Sequence, residues 1–242
     1  MKHIPNLITS LNLLSGGIAC VFILEGNFML ASFLVLLGIF FDFFDGLAAR
    51  LLNVSSELGL QLDSLADLVT SGLVPSLGVF YLLQTLVPEA QNNQIEFYIP
   101  YLAFLILLGS AYRLAKFNID DRQTSSFIGL PTPANALLIL SLLITIVNQE
   151  SFFVQNYLST PVFLIVLSVV STLLLNMEVP LFALKFKNLS FKDNWFRFLI
   201  VVLTIFWVVV FSYLGVALAI ISYILLSLLV SRLDKTVNHG NQ

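Results

Sequence analysis

The chain has 242 residues, of which 58% are apolar and only 10% charged, and its mean hydropathy is +0.96. A soluble domain carries about 25% charged residues, so the composition excludes an ordinary soluble protein and leaves an integral membrane protein whose length suits one helical bundle. The net charge of −3 excludes little in a membrane; the placement of the charges says more.

A membrane span needs about 20 mostly apolar residues, and eight such stretches are expected in chain order. The first, residues 7–24, follows MKHIPNL, which lacks a small-residue cleavage site and runs straight into the apolar stretch, so it reads as a span rather than a cleavable leader. The single Cys20 lies within it as a small buried hydrophobe, and no intrachain disulfide is possible. Next come 28–50 and 59–88, both longer than the hydrocarbon core, with Pro75 expected to kink the latter. The fourth is 97–118. The fifth, 131–148, has Pro131 and Pro133 at its start, where proline can open a helix. The sixth, 161–184, contains Pro180 as an expected kink. The final apolar run is too long for one span and is divided at SYLG, residues 212–215, into 196–213 and 215–232. The terminal HGNQ reads as a disordered tail. No segment shows a soluble-domain pattern, a repeat or low complexity. The expectation is therefore an all-α membrane protein of about eight transmembrane helices in one bundle, a single domain over residues 1–242.

The charges orient this bundle. With eight spans and the N-terminus inside, Lys2, Arg50, Arg113, Lys116, Arg122, Lys185, Lys187, Lys192, Arg197, Arg232 and Lys235 all fall on one side, which accounts for all 11 Lys and Arg. The opposite loops carry only the acids Glu25, Glu89, Glu96 and Glu150. The excess of Lys and Arg on cytoplasmic loops then makes both termini cytoplasmic. Removing one span would scatter the basic residues over both faces, so the charge pattern supports the count.

At the cytoplasmic end of the second span stands FFDFFDGLAAR, residues 40–50, after a long uncharged run. A charged side chain within the bilayer costs a few kcal/mol on insertion scales of about 2.5–3.5 kcal/mol. On a helix, Asp42, Asp45, Gly46, Ala49 and Arg50 share one face, and Gly59, Asp63 and Asp67 share a face of the next. The short link LLNVSSEL makes the two helices antiparallel neighbours, so four carboxylates can converge near the cytoplasmic surface. Four anions in one low-dielectric pocket repel one another, and either protons or cations must neutralise them. Hard divalent cations take oxygen ligands, and four carboxylates suit two metals, an arrangement that serves phosphoryl transfer. Gly46 and Ala49 leave room for a bulky ligand, and Arg50 offers a planar fork for phosphate. An intramembrane Asp pair alone is equally consistent with a proton relay or ion site, and Arg50 taken alone reads as a membrane anchor.

The whole stretch 42–67, DFFDGLAARLLNVSSELGLQLDSLAD, resembles the signature of the CDP-alcohol phosphotransferases, D-x2-D-G-x2-A-R-x8-G-x3-D-x3-D, with every fixed position filled. Eight such matches arise by chance with a probability on the order of 10⁻¹⁰ per start position at ordinary residue frequencies. Within that family PNLITSLNLLSG (5–16), SSELGLQLDSLADLVTSG (55–72), YRLAKFN (112–118) and GLPTPANA (129–136) resemble the membrane-embedded phosphatidylserine synthases of bacteria and archaea. The resemblance implies transfer of the phosphatidyl group of CDP-diacylglycerol to L-serine with release of CMP, at a site facing the cytosol in the cytoplasmic membrane, by a homodimer among membrane lipids, with no nucleic acid involved. It implies two divalent ions, Mg²⁺ or Mn²⁺, one held by Asp42, Asp45 and Asp63 and the other by Asp42, Asp63 and Asp67, with Asp67 also the general base. It implies that Asn6, Thr9, Gly46, Arg50 and Ser56 hold the cytidine diphosphate.

For the acceptor, Arg113 is the better candidate for the serine carboxylate, with Asn118 beside it, while Lys116 is equally well a snorkelling anchor. Lys185, Lys187 and Lys192 suit anionic headgroups. Two other classes compete. An ion or proton transporter would use the acids but has no need of Gly46, Arg50 and Gly59 at fixed spacing. A sibling enzyme would use glycerol 3-phosphate or inositol (phosphate) as acceptor.

Overall fold

The computed structural model describes residues 3–54, 56–87, 97–120, 127–148, 151–181 and 191–239. Among the described residues the regular structure is helical apart from one two-residue ladder. Lys2, Glu89, Glu96, Arg122, Glu150, Lys185 and Lys187 lie outside the described residues, as do the side chains of Lys192, Arg232 and Lys235.

Helix α1 (Ile4–Leu24) carries Pro5 in its first turn, where a missing N–H costs nothing. Gly26, at φ +78°, turns the chain, and Asn27 caps α2 (Phe28–Leu51) by accepting from the Leu30 N–H at 3.1 Å. The short turn lays α2 antiparallel along α1. At its other end α2 closes in a Schellman motif: Asn53 takes φ +50°, its N–H bonds to the Arg50 carbonyl, and the Val54 N–H reaches the Ala49 carbonyl at 3.0 Å. The chain then re-enters α3 (Glu57–Asp67), capped by Ser56, whose Oγ accepts from the Gly59 N–H at 3.0 Å. These two caps turn the FFDFFDG helix back on itself within a few residues.

α3 passes through a π-helical segment, Leu68–Leu73, into α4 (Val74–Leu86). Pro75 has no N–H to give to the preceding turn, so the wider π turn takes up the break that the sequence expects there. A 3₁₀ segment, Ile99–Phe104, leads into α5 (Leu105–Ile119). α6 (Thr132–Asn148) starts within the GLPTP stretch, α7 (Pro161–Asn176) is capped by Thr160, and α8 is assigned from Phe191 to His239.

Two expectations about the later spans are corrected. The sixth apolar stretch is helical only to Asn176, not to 184. Beyond it the chain is extended, and Pro180 lies in a strand, β2 (Pro180–Leu181), paired antiparallel with β1 (Phe127–Ile128) rather than kinking a helix. Proline at the end of such a short ladder costs little, since few N–H donors are asked of it.

α8 is broken at Ser212, φ 49° and ψ −119°. The Trp207 indole N–H donates to Ser222 Oγ at 3.1 Å; fifteen residues along one straight helix would separate them by about 22 Å. A Cβ on Gly215 would lie 2.1 Å from the Trp207 carbonyl oxygen. The chain therefore doubles back at the SYLG stretch where the sequence divides it.

Among the described residues five helices are long and apolar enough to cross a membrane: Ile4–Leu24, Phe28–Leu51, Glu57–Leu86, Ile99–Ile119 and Asn194–Val230. Two shorter apolar helices, Thr132–Asn148 and Pro161–Asn176, pack with them. The core joins Ile23 of α1, Val35 of α2, Val79 and Leu83 of α4, Ile106 of α5, Ile139 and Leu143 of α6 and Leu164 of α7, all fully buried. Four hydroxyls inside this apolar mass are satisfied locally: Ser76, Thr145, Ser168 and Thr172 each donate to the carbonyl four residues back.

Candidate active site

The turn between α2 and α3, together with the start of α1, encloses a cavity of about 450 Å³. Asn6 and Thr9 of α1, Gly46 of α2 and Ser56 at the head of α3 line it, with Asp45 and Asp63 among the same walls. Four of the five residues expected to hold the cytidine diphosphate are thus brought together. The fifth, Arg50, is exposed in the last turn of α2 and does not line the cavity. A Cβ on Gly46 would meet nothing within 4 Å, so that wall is open space available to a ligand. A Cβ on Gly59 would stand 3.1 Å from both Asn6 Oδ1 and Ser56 Oγ, so glycine there lets α3 come up against α1.

The electrostatics of the cavity are two-signed. The N-termini of α1 and α3 both open on it, and a helix N-terminus favours an anion through its free N–H groups and its dipole. Two carboxylates, Asp45 and Asp63, stand on the same walls, and Asp42 is grouped with them. Asp42, Asp45 and Asp63 each offer one oxygen, and the three oxygens lie within 4.8 Å of one another. Octahedral Mg²⁺ at about 2.1 Å holds its ligand oxygens no more than about 4.2 Å apart, so a small side-chain adjustment closes this set on an ion. Asp63 Oδ1 is buried with no hydrogen-bond partner among the described residues, which is the condition of a ligand atom awaiting a cation. The residues present therefore fit a divalent metal.

Asp45 is buried, and Thr9 Oγ1 donates to its Oδ2 at 2.5 Å. Thr9 thus touches a carboxylate of the cluster as well as the cavity. Asp67, one helical turn beyond Asp63, is set apart from the three-oxygen group: it is 9% exposed, and Asn12 Nδ2 donates to its Oδ1 at 3.2 Å. Asn12 and Thr70 are the polar contacts that sequence reasoning missed. The available signal was an amide at position 12, in helical register with Asn6 and Thr9 on an otherwise apolar helix.

The acceptor candidates are held at α5. Asn118 Nδ2 donates to Ser64 Oγ at 2.9 Å, which fastens the end of α5 to α3 next to Asp63. Arg113 is buried, and its Nη1 donates to the Leu175 carbonyl at 2.9 Å in the last turn of α7, where a cation also suits the helix dipole. Gly129, at φ +75°, packs against that guanidinium, and a Cβ there would lie 2.9 Å from Nη1. Arg113 does not line the cavity. Lys116 pairs with Glu178 at 2.7 Å, a partly exposed bridge of small energetic weight.

The chain is similar to known proteins of one family. The family model described as CDP-alcohol phosphatidyltransferase matches residues 2–174. The CDP-diacylglycerol–serine O-phosphatidyltransferase of Bacillus subtilis is 37% identical over 147 residues, 58% of this chain and 76% of that protein. The proteins of the same description from Helicobacter pylori strain J99 and Saccharomyces cerevisiae are 33% and 38% identical, over 63% and 58% of this chain and 61% and 53% of their own lengths. The aligned region spans less than two thirds of those two relatives. The family match over residues 2–174 takes in the whole cavity, all four aspartates and the α5 residues, and the chain belongs to the CDP-alcohol phosphatidyltransferase family.

Proposed function

We propose that this chain is a membrane enzyme that transfers the phosphatidyl group of CDP-diacylglycerol to L-serine, giving phosphatidylserine and CMP. The observation that carries this is the cavity that joins two helix N-termini to a cluster of carboxylates. Neither an anion nor a bare cation satisfies both; a diphosphate bridged by divalent cations does. The similar proteins named as serine phosphatidyltransferases support serine as the acceptor.

Asp42, Asp45 and Asp63 would hold one ion, and Asp42, Asp63 and Asp67 a second, either Mg²⁺ or Mn²⁺. When bound, the ions supply charge neutralisation on the phosphate oxygens and on the departing CMP. Thr9 keeps Asp45 turned toward the cluster. Ser56 Oγ already accepts from the Gly59 N–H, so its own O–H is available to donate to the donor's cytidine diphosphate. Gly46 gives that group room to approach the α2 backbone. Arg50, at the cytoplasmic end of α2, binds its outer phosphate. On the acceptor side, Arg113 and Asn118 recognise serine.

In the reaction the serine hydroxyl oxygen bonds to the phosphorus that bears diacylglycerol. The phosphoanhydride breaks, and CMP leaves with the electron pair. Asp67 takes the hydroxyl proton as the bond forms. The lipid tails remain in the bilayer, and serine enters from the cytosol.

The same reading makes the bundle cross the cytoplasmic membrane eight times with both termini inside. The two shorter helices, at 16 and 17 residues, reach about 25 Å, and the broken last helix supplies two crossings. A homodimer is the expected assembly. Cysteines placed at Glu89 and Glu150 would react with an impermeant thiol reagent from outside intact cells, and one at Lys187 would not; the opposite pattern refutes the orientation.

The test of the activity is CMP release by purified protein given CDP-diacylglycerol, a divalent cation and a panel of acceptors. Release with serine alone supports the assignment. Release with glycerol 3-phosphate or inositol instead moves the chain to a sibling activity, and no release with any acceptor removes the enzymatic reading.

A further inference from the structure

We infer that Thr70 and Asn12 are positioning residues for the carboxylate of Asp67. The inference rests on Asp67 being the general base of the proposed reaction. Thr70 lies in the π-helical segment that follows Asp67, and its Oγ1 donates to Asn12 Oδ1 at 2.8 Å. Asn12 in turn gives its Nδ2 N–H to Asp67 Oδ1 at 3.2 Å. Both Thr70 and Asn12 are fully buried.

The chain of bonds has a direction. An amide has one donating and one accepting end, and a threonine hydroxyl can meet either. An ionised carboxylate accepts only, so with Asp67 ionised the Nδ2 end must face it and Oδ1 must face Thr70. The amide then holds Asp67 Oδ1 and with it the orientation of the carboxylate. A base misaligned by an ångström loses much of its effect, so this restraint belongs to catalysis as well as to packing.

The neighbouring helices are cut to fit the pair. A Cβ on Gly16 would stand 2.4 Å from Thr70 Oγ1 and 2.9 Å from its Cα. A Cβ on Gly38 would stand 2.7 Å from Thr70 Cγ2 and 2.8 Å from Asn12 Oδ1. Glycines on α1 and α2 thus close directly on Thr70 and on the accepting end of the amide, which leaves the side chains little freedom to rearrange. Neither Thr70 nor Asn12 lines the cavity, so any effect on turnover must pass through a neighbour.

The test compares Thr70→Val, which keeps shape but loses the hydroxyl, with Thr70→Ser, which keeps the hydroxyl. Thr70→Val is expected to lower kcat about tenfold or more, with KM for serine and for CDP-diacylglycerol and the affinity for the donor within about twofold. Thr70→Ser is expected to recover kcat to within about threefold of the parent. The double variant Asn12→Leu with Thr70→Val removes the whole chain of bonds; because Asp67 Oδ1 then loses its donor, it should melt below the parent and be at least as slow as Thr70→Val. The inference is overturned if Thr70→Val retains its kcat, or if Thr70→Ser is as slow as Thr70→Val with an equal loss of melting temperature, since packing alone then explains both. Asp67→Asn separates this from the underlying reading. If Asp67→Asn turns over normally, the base assignment has failed; if it is inactive while Thr70→Val is normal, only the positioning role has failed.

Discussion

The helix Glu57–Leu86 and the helix Asn194–Val230 are both long and apolar enough to cross a bilayer, yet more than half of the first one's most apolar stretch is buried against about a tenth of the second's. The first carries Asp63, Asp67, Thr70 and Ser64, each bonded to or grouped with a side chain from another helix. The second offers Val202, Ile205, Val209 and Val210 outward, and its two arms are joined by a side-chain bond from Trp207 to Ser222. In lipid there is little hydrophobic gain in burying an apolar helix against another, because the tails are as apolar as leucine. What draws helices into close register is small residues and polar groups that need partners. The region that must hold reacting groups still is therefore the one dense in Gly, Asn, Thr and Asp, and the hairpin can remain a lipid-facing flank.

Mutations that break this contrast should differ in kind as well as size. The largest effect is expected for Asp42→Ala, at the centre of the carboxylate group. CMP release should fall by about a thousandfold or more, equivalent to about 4 kcal/mol, and divalent-ion binding followed by calorimetry should weaken with it. Unchanged ion affinity would separate the cluster from metal binding.

Next comes Arg113→Lys, expected to raise the KM for serine about tenfold, or about 1.4 kcal/mol, with the KM for CDP-diacylglycerol little changed, because lysine cannot reproduce a planar two-bond grip on a carboxylate. Movement of both constants assigns Arg113 to the donor side. A loss of melting temperature with neither constant moved assigns it wholly to its bond with the Leu175 carbonyl.

Gly38→Ala puts a methyl 2.7 Å from Thr70 Cγ2, an overpacking that costs about 1–3 kcal/mol. It should appear as a lower melting temperature in detergent together with a lower kcat, since the displaced group leans on Asn12. The smallest effect is expected for Val209→Ala on the lipid-facing arm, where Val209 is 77% exposed; lipid replaces the lost contacts, and stability and kcat should stay within about 0.5 kcal/mol of the parent. A large loss there would show that the hairpin packs against a partner.

The same contrast explains what could be read from the sequence. The carboxylate cluster was legible because its spacing is short: Asp42 with Asp45, and Asp63 with Asp67, fall on helix faces by periodicity alone, and one tight turn joins them. The doubling back at Ser212 was legible because a single helix of that length is nearly twice what a bilayer needs. Long-range partners were not. Nothing in the spacing between Asn12 and Thr70 says that they meet, since they are joined only when α1, α2 and the π turn close on Gly16 and Gly38. The end of α7 is not legible because Met177, Val179 and Leu181 around the single Glu178 still allow a span to continue, while the backbone of Pro180 and Leu181 is drawn into the ladder with Phe127 and Ile128. Arg50 reads on the signature face but stands exposed, because the Schellman turn at Asn53 ends the helix just beyond it.

The most direct test of the account is Asp67→Asn, measured for both CMP release and donor binding. Asparagine keeps the size of the side chain and can still meet Asn12, but it cannot take a proton. CMP release with serine should fall by about a hundredfold to ten-thousandfold, the range of a lost general base, while CDP-diacylglycerol affinity stays within about threefold of the parent. Near-normal CMP release by Asp67→Asn would contradict the assignment of this carboxylate as the group that activates the acceptor.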